Sequence, residues 1–196
     1  AERDIRSSNY TTTGPPQACY RSSPSSPRKR EESYAEVMDG PARVQTALKD
    51  CGLVATIERF TTSTATAIEA AAAVGCELGQ IVKTLIFLAE GRPTAVLVAG
   101  DRQVQTGMLA RLLGVPRKQL IMGSPDEVLR LTSFEVGAVP PLALPGKWDV
   151  IGDESLQRFD TVWAAGGATD AIFTINTNDL VRTSKAQWAK ITRGPS

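Results

Sequence analysis

The sequence predicts a single α+β domain with a mixed, mainly antiparallel sheet flanked by helices. The chain has 196 residues, 42% of them hydrophobic, which is enough for one sizeable core and short for two. Predicted helices and strands follow one another without the strict alternation of a parallel sheet. Residues 81–89 and 94–99 are β-rich runs joined by a connection with the length and residues of a hairpin loop. We expect these runs to be central, antiparallel strands.

The first 35 residues are predicted to be a flexible tail, and residues 36–196 to form the domain. Between residues 7 and 30, 13 of 24 positions are Ser, Thr or Pro. Such a segment buries too little apolar surface to offset the entropy lost on ordering, so it is expected to be disordered or draped on the domain. Its basic run at residues 28–30 could touch RNA, although a solvated linker is the more common role.

The first half of the domain is predicted to contain a helix, a strand and a second helix. Apolar residues recur at helical spacing from Pro41, and Gly52 ends that helix. Residues 53–60 are predicted to be a strand. An Ala-rich helix then runs to Val74, with cap hydroxyls expected from residues 61–64.

The second half is predicted from helical spacing, β-rich runs and turn residues. Residues 105–113 form a short helix, and Ser124 and Glu127 stand at the spacing of a capping box that starts another. The remaining predictions are strands at residues 148–151, 161–165, 171–175 and 186–191, a helical turn at 176–180 and a glycine turn at 166–167.

The composition excludes several kinds of chemistry. The chain has no histidine, and its three cysteines are far apart, so no metal site and no cofactor are predicted. Nucleophiles that depend on an imidazole to move a proton are excluded as well. The remaining options are catalysis by a carboxylate, a lysine, the backbone or the substrate itself, or no catalysis.

Charge and hydropathy limit the partners and the compartment. With 22 basic and 21 acidic residues the net charge is +1, which argues against holding nucleic acid by bulk charge and makes any RNA contact local or weak. No DNA partner is expected. The sequence has no apolar run long enough for a membrane span and no signal-peptide core, so a cytoplasmic protein without membrane contact is expected.

Lys83 is the most unusual residue of the predicted strand at 81–89. Side chains on a strand alternate between faces, so Lys83 shares a face with Ile81, Leu85 and Phe87. An unpaired ammonium on an apolar face must reach solvent, find an acid or line a cavity for an anionic ligand. The alternative is a lysine that blocks pairing at a sheet edge. These residues alone do not separate the two interpretations.

Residues 137–141, Gly-Ala-Val-Pro-Pro, follow a predicted strand end at 134–136. Glycine allows the backbone to approach a ligand closely, and consecutive prolines stiffen the path. A rigid loop with exposed amides can position a carbonyl or an oxyanion, although most loops of this kind are structural.

Asp153 and Glu154 follow another predicted strand, where an acid would cap the next turn. Adjacent positions on a strand face opposite ways, so the pair is a poor acid–base dyad.

Together these segments resemble the YbaK/ProX family, also called the prolyl-tRNA-synthetase-associated or insertion editing domain. The resemblance covers about residues 42–191. Residues 81–87, Ile-Val-Lys-Thr-Leu-Ile-Phe, match the VxKTLxF strand of the family, and residues 137–141 match its GxxxP loop. The turn at residues 153–156 and the Ala-rich helix before the lysine strand agree in order and spacing.

The family hydrolyses mischarged tRNA, typically cysteine, alanine or serine on tRNA for proline or a neighbouring specificity. The resemblance therefore implies a free-standing trans-editing deacylase, a hydrolase of the aminoacyl ester, because no synthetase domain accompanies the sequence. Its expected partners are the 3′ end of aminoacyl-tRNA and, as a second candidate, an aminoacyl-tRNA synthetase.

The resemblance also implies roles for single residues. Lys83 binds the terminal adenosine or its phosphate and orients the ester, while backbone amides near Gly137 and Ala138 hold the aminoacyl carbonyl. Ala138 stands where relatives often have glycine or serine. The expected substrate-binding residues are Thr62, Ser63, Thr64, Val139, Pro141 and Asp153.

Two other functions are compatible with the same residues. One is a non-catalytic module whose Lys83 pocket recognises an aminoacyl-adenosine or another nucleotide. The other is a structural partner that docks onto a synthetase. The presence of Lys83 does not separate these functions from hydrolysis, whereas a turnover assay does.

Overall fold

Five α-helices and ten strands form within residues 39–193, the part of the chain that the computed structural model describes. The predicted tail at residues 1–35 lies outside the described residues. The helices are α1 (Gly40–Asp50), α2 (Ala67–Val74), α3 (Thr106–Leu113), α4 (Pro125–Thr132) and α5 (Thr177–Ser184). The strands are β1 (Glu58–Arg59), β2 (Ile81–Ala89), β3 (Arg92–Ala99), β4 (Gln103–Val104), β5 (Leu120–Met122), β6 (Asp149–Asp153), β7 (Thr161–Ala168), β8 (Ala171–Asn176), β9 (Gln187–Ala189) and β10 (Thr192–Arg193).

The main sheet has the order β1-β8-β7-β2-β3-β6-β9, and β5 also pairs with β2. Its centre is the antiparallel β2–β3 hairpin, as predicted. The hairpin turn is only Glu90 and Gly91, both at positive φ (52° and 79°), because two-residue turns of this hand match the twist of the strands. Strand β2 runs parallel to β7, and β3 runs parallel to β6, so the sheet is mixed and the predicted α+β class is confirmed.

Alternating side chains of the central strands pack into separate apolar clusters. On one face of β2, Val82 and Ile86 join the largest cluster, which α1 and α5 cover with Val44, Leu48 and Leu180. On the other face, the far end of β2 packs under α3, and its start packs under α2. Among the helices of the described residues, none has the length and apolar character to cross a membrane.

Several predicted boundaries differ from the structure for identifiable reasons. Of the predicted strand at residues 53–60, only the two residues of β1 form a strand. Before β1, the backbone binds the side chain of Gln45 instead of a neighbouring strand. Its Nε2 donates to the Ala55 carbonyl (2.9 Å), and its Oε1 accepts from the Ile57 amide (3.4 Å). The strand end predicted at residues 134–136 is wrong: this segment turns after α4.

Two of the predicted helices, α2 and α4, start with capping boxes, and α2 begins later than expected. Ser124 and Glu127 cap α4 as predicted. Helix α2 is capped by Thr66 rather than by residues 61–64, since the Thr66 hydroxyl accepts from the Glu69 amide at 3.2 Å. Ser63 supports this cap by donating to the Glu69 carboxylate at 3.0 Å.

Gly166 and Gly167 form a bulge inside β7 rather than the predicted turn, which lies further along the chain. Gly167 has a φ of +93°, and its carbonyl packs directly against Gly40 at the start of α1. A side chain at either position would overlap the other backbone. The glycine pair therefore lets α1 dock onto the sheet.

Asp153 connects the end of β6 to the last described strand. Its side chain is 1% exposed. One carboxylate oxygen accepts from the Ser155 amide and the Thr192 hydroxyl, both at 3.0 Å, and the other accepts from the Ile191 amide at 2.9 Å. The predicted capping role is present, and the same carboxylate also holds the C-terminal segment.

Asp153→Asn is expected to destabilise the domain by about 1–3 kcal/mol, because the new amide group would place a donor against the Ile191 N–H. Urea denaturation measures the change. Glu154→Gln, at the exposed neighbouring position, is the matched control and should stay within about 0.5 kcal/mol of the wild type. Equal effects of the two substitutions would contradict the anchoring role of Asp153.

Candidate active site

A gap in strand pairing lies beside the middle of β2. The parallel register with β7 ends at Val82, opposite Ala164. The antiparallel register with β5 begins at Phe87, opposite Met122. Residues 83–86 consequently have no strand partner on that side, and a cavity of about 300 Å³ lies at this gap.

The backbone of Thr84 faces the gap. The Ile81 carbonyl accepts from the Gly100 amide (2.8 Å) on the β3 side, whereas the Ile86 carbonyl accepts from the Gly123 amide (2.9 Å) on the opposite side. Because backbone groups alternate along a strand, the N–H and C=O of Thr84 point the same way as those of Ile86. A ligand in the cavity therefore meets an unpaired stretch of sheet edge.

Lys83 reaches from this strand to the turn after β3. Its ammonium donates to the carbonyl of Gly100 at 3.1 Å and to that of Arg102 at 2.6 Å. An ammonium has three donors, so one N–H remains for a ligand. Burial lowers the pKa of Lys83, and the nearby charge of Asp101 opposes part of this shift. Since β2 is a central strand, Lys83 does not guard an outer edge of the sheet.

Two residues of the loop at 137–141, Gly137 and Val139, contribute to another wall of the cavity. Gly137 has a φ of +90°, and a Cβ there would lie 2.7 Å from the carbonyl oxygen of Ala65. Only glycine fits both constraints. The Gly137 N–H finds no acceptor within residues 39–193, whereas the Ala138 N–H already donates to the Glu135 carbonyl at 2.9 Å. Of this pair, Gly137 is therefore the residue whose amide has no hydrogen-bond partner within residues 39–193.

Small apolar side chains line most of the cavity, with Val136 exposed among the lining residues and Trp163 on one wall. The Thr84 hydroxyl is buried and has no hydrogen-bond partner in the described chain. A buried hydroxyl without a partner is unfavourable unless something else binds it. The alanines that line the cavity are Ala65, Ala67, Ala70, Ala164 and Ala165.

The structure brings together four of the residues singled out from the sequence: Thr64, Lys83, Gly137 and Val139 all line the cavity. Ala138 is buried beside it.

The other four residues lie elsewhere in the described chain. Thr62 and Ser63 are exposed before α2 and do not line the cavity, and Ser63 supports the α2 cap. Pro141 lines a different groove together with Trp148, and the Asp153 carboxylate is occupied by its anchoring contacts. Substrate contact by these four stays a prediction.

The lining residues that were not singled out from the sequence include Thr84 and Trp163. Thr84 directly follows Lys83 in the matched strand motif, so its position was a usable signal. The contribution of Trp163 depends on the β2–β7 register, which pairs it with Ile81. The described residues contain no cluster of three or more metal-binding side chains.

Comparison with known proteins identifies sequences that share this site region. A model of the family described as "Aminoacyl-tRNA editing domain" matches residues 61–183. The chain is 34% identical over 125 residues to the uncharacterised protein YwhH of Bacillus subtilis, covering 63% of this chain and 78% of that protein. It is also 37% identical over 98 residues to the proline–tRNA ligase of Nitratidesulfovibrio vulgaris, covering 50% of this chain but only 17% of the ligase.

Two solved structures are similar over nearly their whole length. One is described as "a putative trans-editing enzyme for prolyl tRNA synthetase"; it is 38% identical, with a TM-score of 0.74, and the match covers 79% of this chain and 98% of that one. The other, the hypothetical protein APE2540, is 32% identical with a TM-score of 0.72, and the match covers 77% of this chain and 99% of that one.

Gly137→Ala is expected to destabilise the protein by about 3 kcal/mol, because it combines an unfavourable positive φ with a clash against Ala65. Gly146→Ala is the matched control: Gly146 has a φ of +83° and no atom within 4 Å of an added Cβ, so it isolates the backbone strain at about 1 kcal/mol. Thermal and urea unfolding measure both values. If both variants lose the same free energy of unfolding, Gly137 does not pack tightly against Ala65 in the segment before α2.

Proposed function

The chain belongs to the aminoacyl-tRNA editing domain family, and from this premise we propose that it hydrolyses the ester bond of mischarged tRNA in trans. The observation that carries the proposal is the cavity at the sheet gap. It combines a lysine ammonium with one unused donor, an unpaired backbone amide at Gly137 and small apolar walls. The similarity to the solved structure described as a trans-editing enzyme supports action in trans.

The proposed substrate carries a small amino acid such as cysteine, alanine or serine. The cavity of about 300 Å³ lies at the lower end of the size range of small-molecule sites. A cavity of this size that also receives part of the terminal adenosine has room for a methyl, thiol or hydroxyl group and little room for a larger side chain. The matches to proline–tRNA ligases and to the trans-editing structure support tRNA for proline as the carrier.

Binding and positioning account for the proposed mechanism without a protein nucleophile. The third N–H of Lys83 binds an oxygen of the terminal adenosine or its phosphate and orients the ester. The amide of Gly137 donates to the aminoacyl carbonyl and stabilises the negative charge that develops on it. An aminoacyl ester is already activated, so a water positioned in the site, directly or through a hydroxyl of the substrate, attacks the carbonyl carbon. The bond to the ribose oxygen breaks, that oxygen takes the proton given up by the water, and free amino acid and uncharged tRNA are released. This chemistry requires no histidine.

Thr84 adds two contacts to this arrangement. Its backbone N–H and C=O face the cavity at the unpaired edge, and its hydroxyl has no partner in the described chain. We assign these groups to the polar atoms of the aminoacyl moiety. A bound substrate would thereby satisfy the hydrogen-bonding groups that the sheet gap leaves open.

The experiment that tests the proposed function is single-turnover deacylation with a panel of charged tRNAs. Wild-type protein is expected to release cysteine, alanine or serine from tRNA for proline and to leave correctly charged prolyl-tRNA intact. Binding of charged tRNA without release of any amino acid would instead identify a non-catalytic module.

In the same assay Lys83→Ala is expected to abolish hydrolysis while circular dichroism stays that of the wild type, because Lys83 contacts carbonyls and ligand rather than the core. Lys83→Arg is also expected to fail, since a planar guanidinium does not fit the space of an ammonium bound to Gly100 and Arg102. Wild-type turnover by well-folded Lys83→Ala would end this assignment.

Thr84→Val is expected to lower hydrolysis about tenfold, as expected for one lost hydrogen bond. It should leave stability unchanged or raise it by about 1 kcal/mol, because it removes a buried hydroxyl without a partner. Thr94→Val is the matched control: the Thr94 hydroxyl is likewise buried without a partner but lies outside the cavity. If both variants lose activity equally, Thr84 does not contact the substrate.

A further inference from the structure

A group of cations lies on the surface beyond the turn that holds Lys83. Arg111, Arg117 and Arg193 line a groove of about 400 Å³. Arg102, Lys190 and Arg193 line a second groove of about 440 Å³. Because Arg193 belongs to both grooves, these five residues form one continuous patch, called here the basic surface.

The fold brings these cations together from distant parts of the sequence. Strands β4 and β10 pair antiparallel, which places Arg193 opposite Gln103 and next to Arg102. Helix α3 starts directly after β4, and the Arg117 guanidinium donates to the Thr106 hydroxyl at its first turn (3.3 Å). The basic surface is therefore built on paired backbone rather than on a loose loop.

Most of these charges have no acidic partner. Within residues 39–193, Arg111, Arg117, Lys190 and Arg193 form no ion pair, although other exposed arginines do. Only Arg102 pairs with a carboxylate, that of Asp101 at 3.6 Å.

Besides Asp101, two carboxylates face the basic surface. Glu154 lines its second groove, and Asp153 lies beneath that groove with both oxygens already hydrogen-bonded. An excess of positive charge remains.

We propose that the basic surface binds phosphates of the acceptor stem of the substrate tRNA, an inference that rests on the proposed function. The surface starts at Arg102, whose carbonyl accepts from the Lys83 ammonium at 2.6 Å. Because Lys83 lines the cavity and contacts this turn, the turn lies next to the site, and the proposal places the acceptor stem of an RNA whose 3′ end occupies the cavity over it. Arginine predominates in the surface, and its planar fork matches the geometry of phosphate oxygens.

The proposal is compatible with the near-neutral charge of the whole chain. A net charge of +1 excludes strong attraction of RNA to the entire molecule but not to one patch. Up to five phosphate contacts imply a log–log salt dependence of binding with a slope of about 3.5–4.5 in magnitude.

The test measures binding of uncharged tRNA for proline to the full chain by fluorescence anisotropy, across about 0.05–0.3 M KCl. The variant Arg111→Gln/Arg117→Gln/Arg193→Gln is expected to lower the magnitude of the salt slope by about two units and to weaken binding at least about tenfold at 0.1 M salt. Each single variant should lower the magnitude of the slope by about a third as much, so the single variants provide the test if the triple variant does not fold.

The matched control removes three cations at the opposite end of the β2–β3 hairpin. Arg92, Lys147 and Lys185 line a different groove, and their replacement by glutamine makes the same change in net charge. This control is expected to keep the wild-type salt slope. Equal slopes for the two triple variants would overturn the proposal.

Two further measurements separate this inference from the proposed function. Hydrolysis of an aminoacyl-adenosine ester, which lacks the stem, should be equal in the wild type and the basic-surface variant. Failure of the wild type to hydrolyse any ester would refute the proposed function. The binding comparison with uncharged tRNA would still show whether the basic surface binds RNA.

A variant that binds tRNA normally but loses a complex with prolyl-tRNA synthetase would assign the surface to a protein partner and overturn the proposal.

Discussion

Strand β2 is paired along its whole length with β3 but only at its two ends on the other side, and the candidate site depends on this gap. The register with β7 stops at Val82, and the register with β5 starts at Phe87. A gap in a central strand leaves peptide groups unpaired inside the protein, which is costly unless water or a ligand satisfies them. The same gap opens both faces of β2 to one cavity, so Lys83 and Thr84 line it together although their side chains alternate.

Specific contacts fix the positions of the residues that line the cavity. Lys83 sits between the apolar cluster under α2 and the cluster under α3, where a buried cation would be unfavourable without partners. The carbonyls of Gly100 and Arg102 supply those partners without neutralising the charge. On the opposite wall, Gly137 packs against Ala65 in the segment that enters α2. The turn after β3 therefore fixes the position of the lysine, and the segment that enters α2 fixes that of the glycine loop.

The sequence was sufficient for the features that depend on local patterns. The β2–β3 hairpin, the capping box of Ser124 and the alternation that isolates Lys83 on an apolar face all follow from residues close together in the chain. Features set by distant contacts were not predictable. The Gln45 side chain replaces a strand partner, and the bulge at Gly167 packs against Gly40. The hydroxyl of Thr84 has no partner because of a register between strands far apart in sequence.

The net charge is another sequence property that does not predict the surface, because it counts charged residues regardless of what they contact. Many acidic side chains of the described chain serve structural bonds: Glu69 and Glu127 complete capping boxes, and Asp153 anchors the C-terminal segment. Asp170 and Asp179 pair with neighbouring arginines. Carboxylates engaged in this way contribute less to the field above other parts of the surface, because nearby cations or amide dipoles offset them. A protein with a net charge of +1 can thus present a patch that is clearly basic, and the placement of the acids, rather than their number, decides where an anionic partner binds.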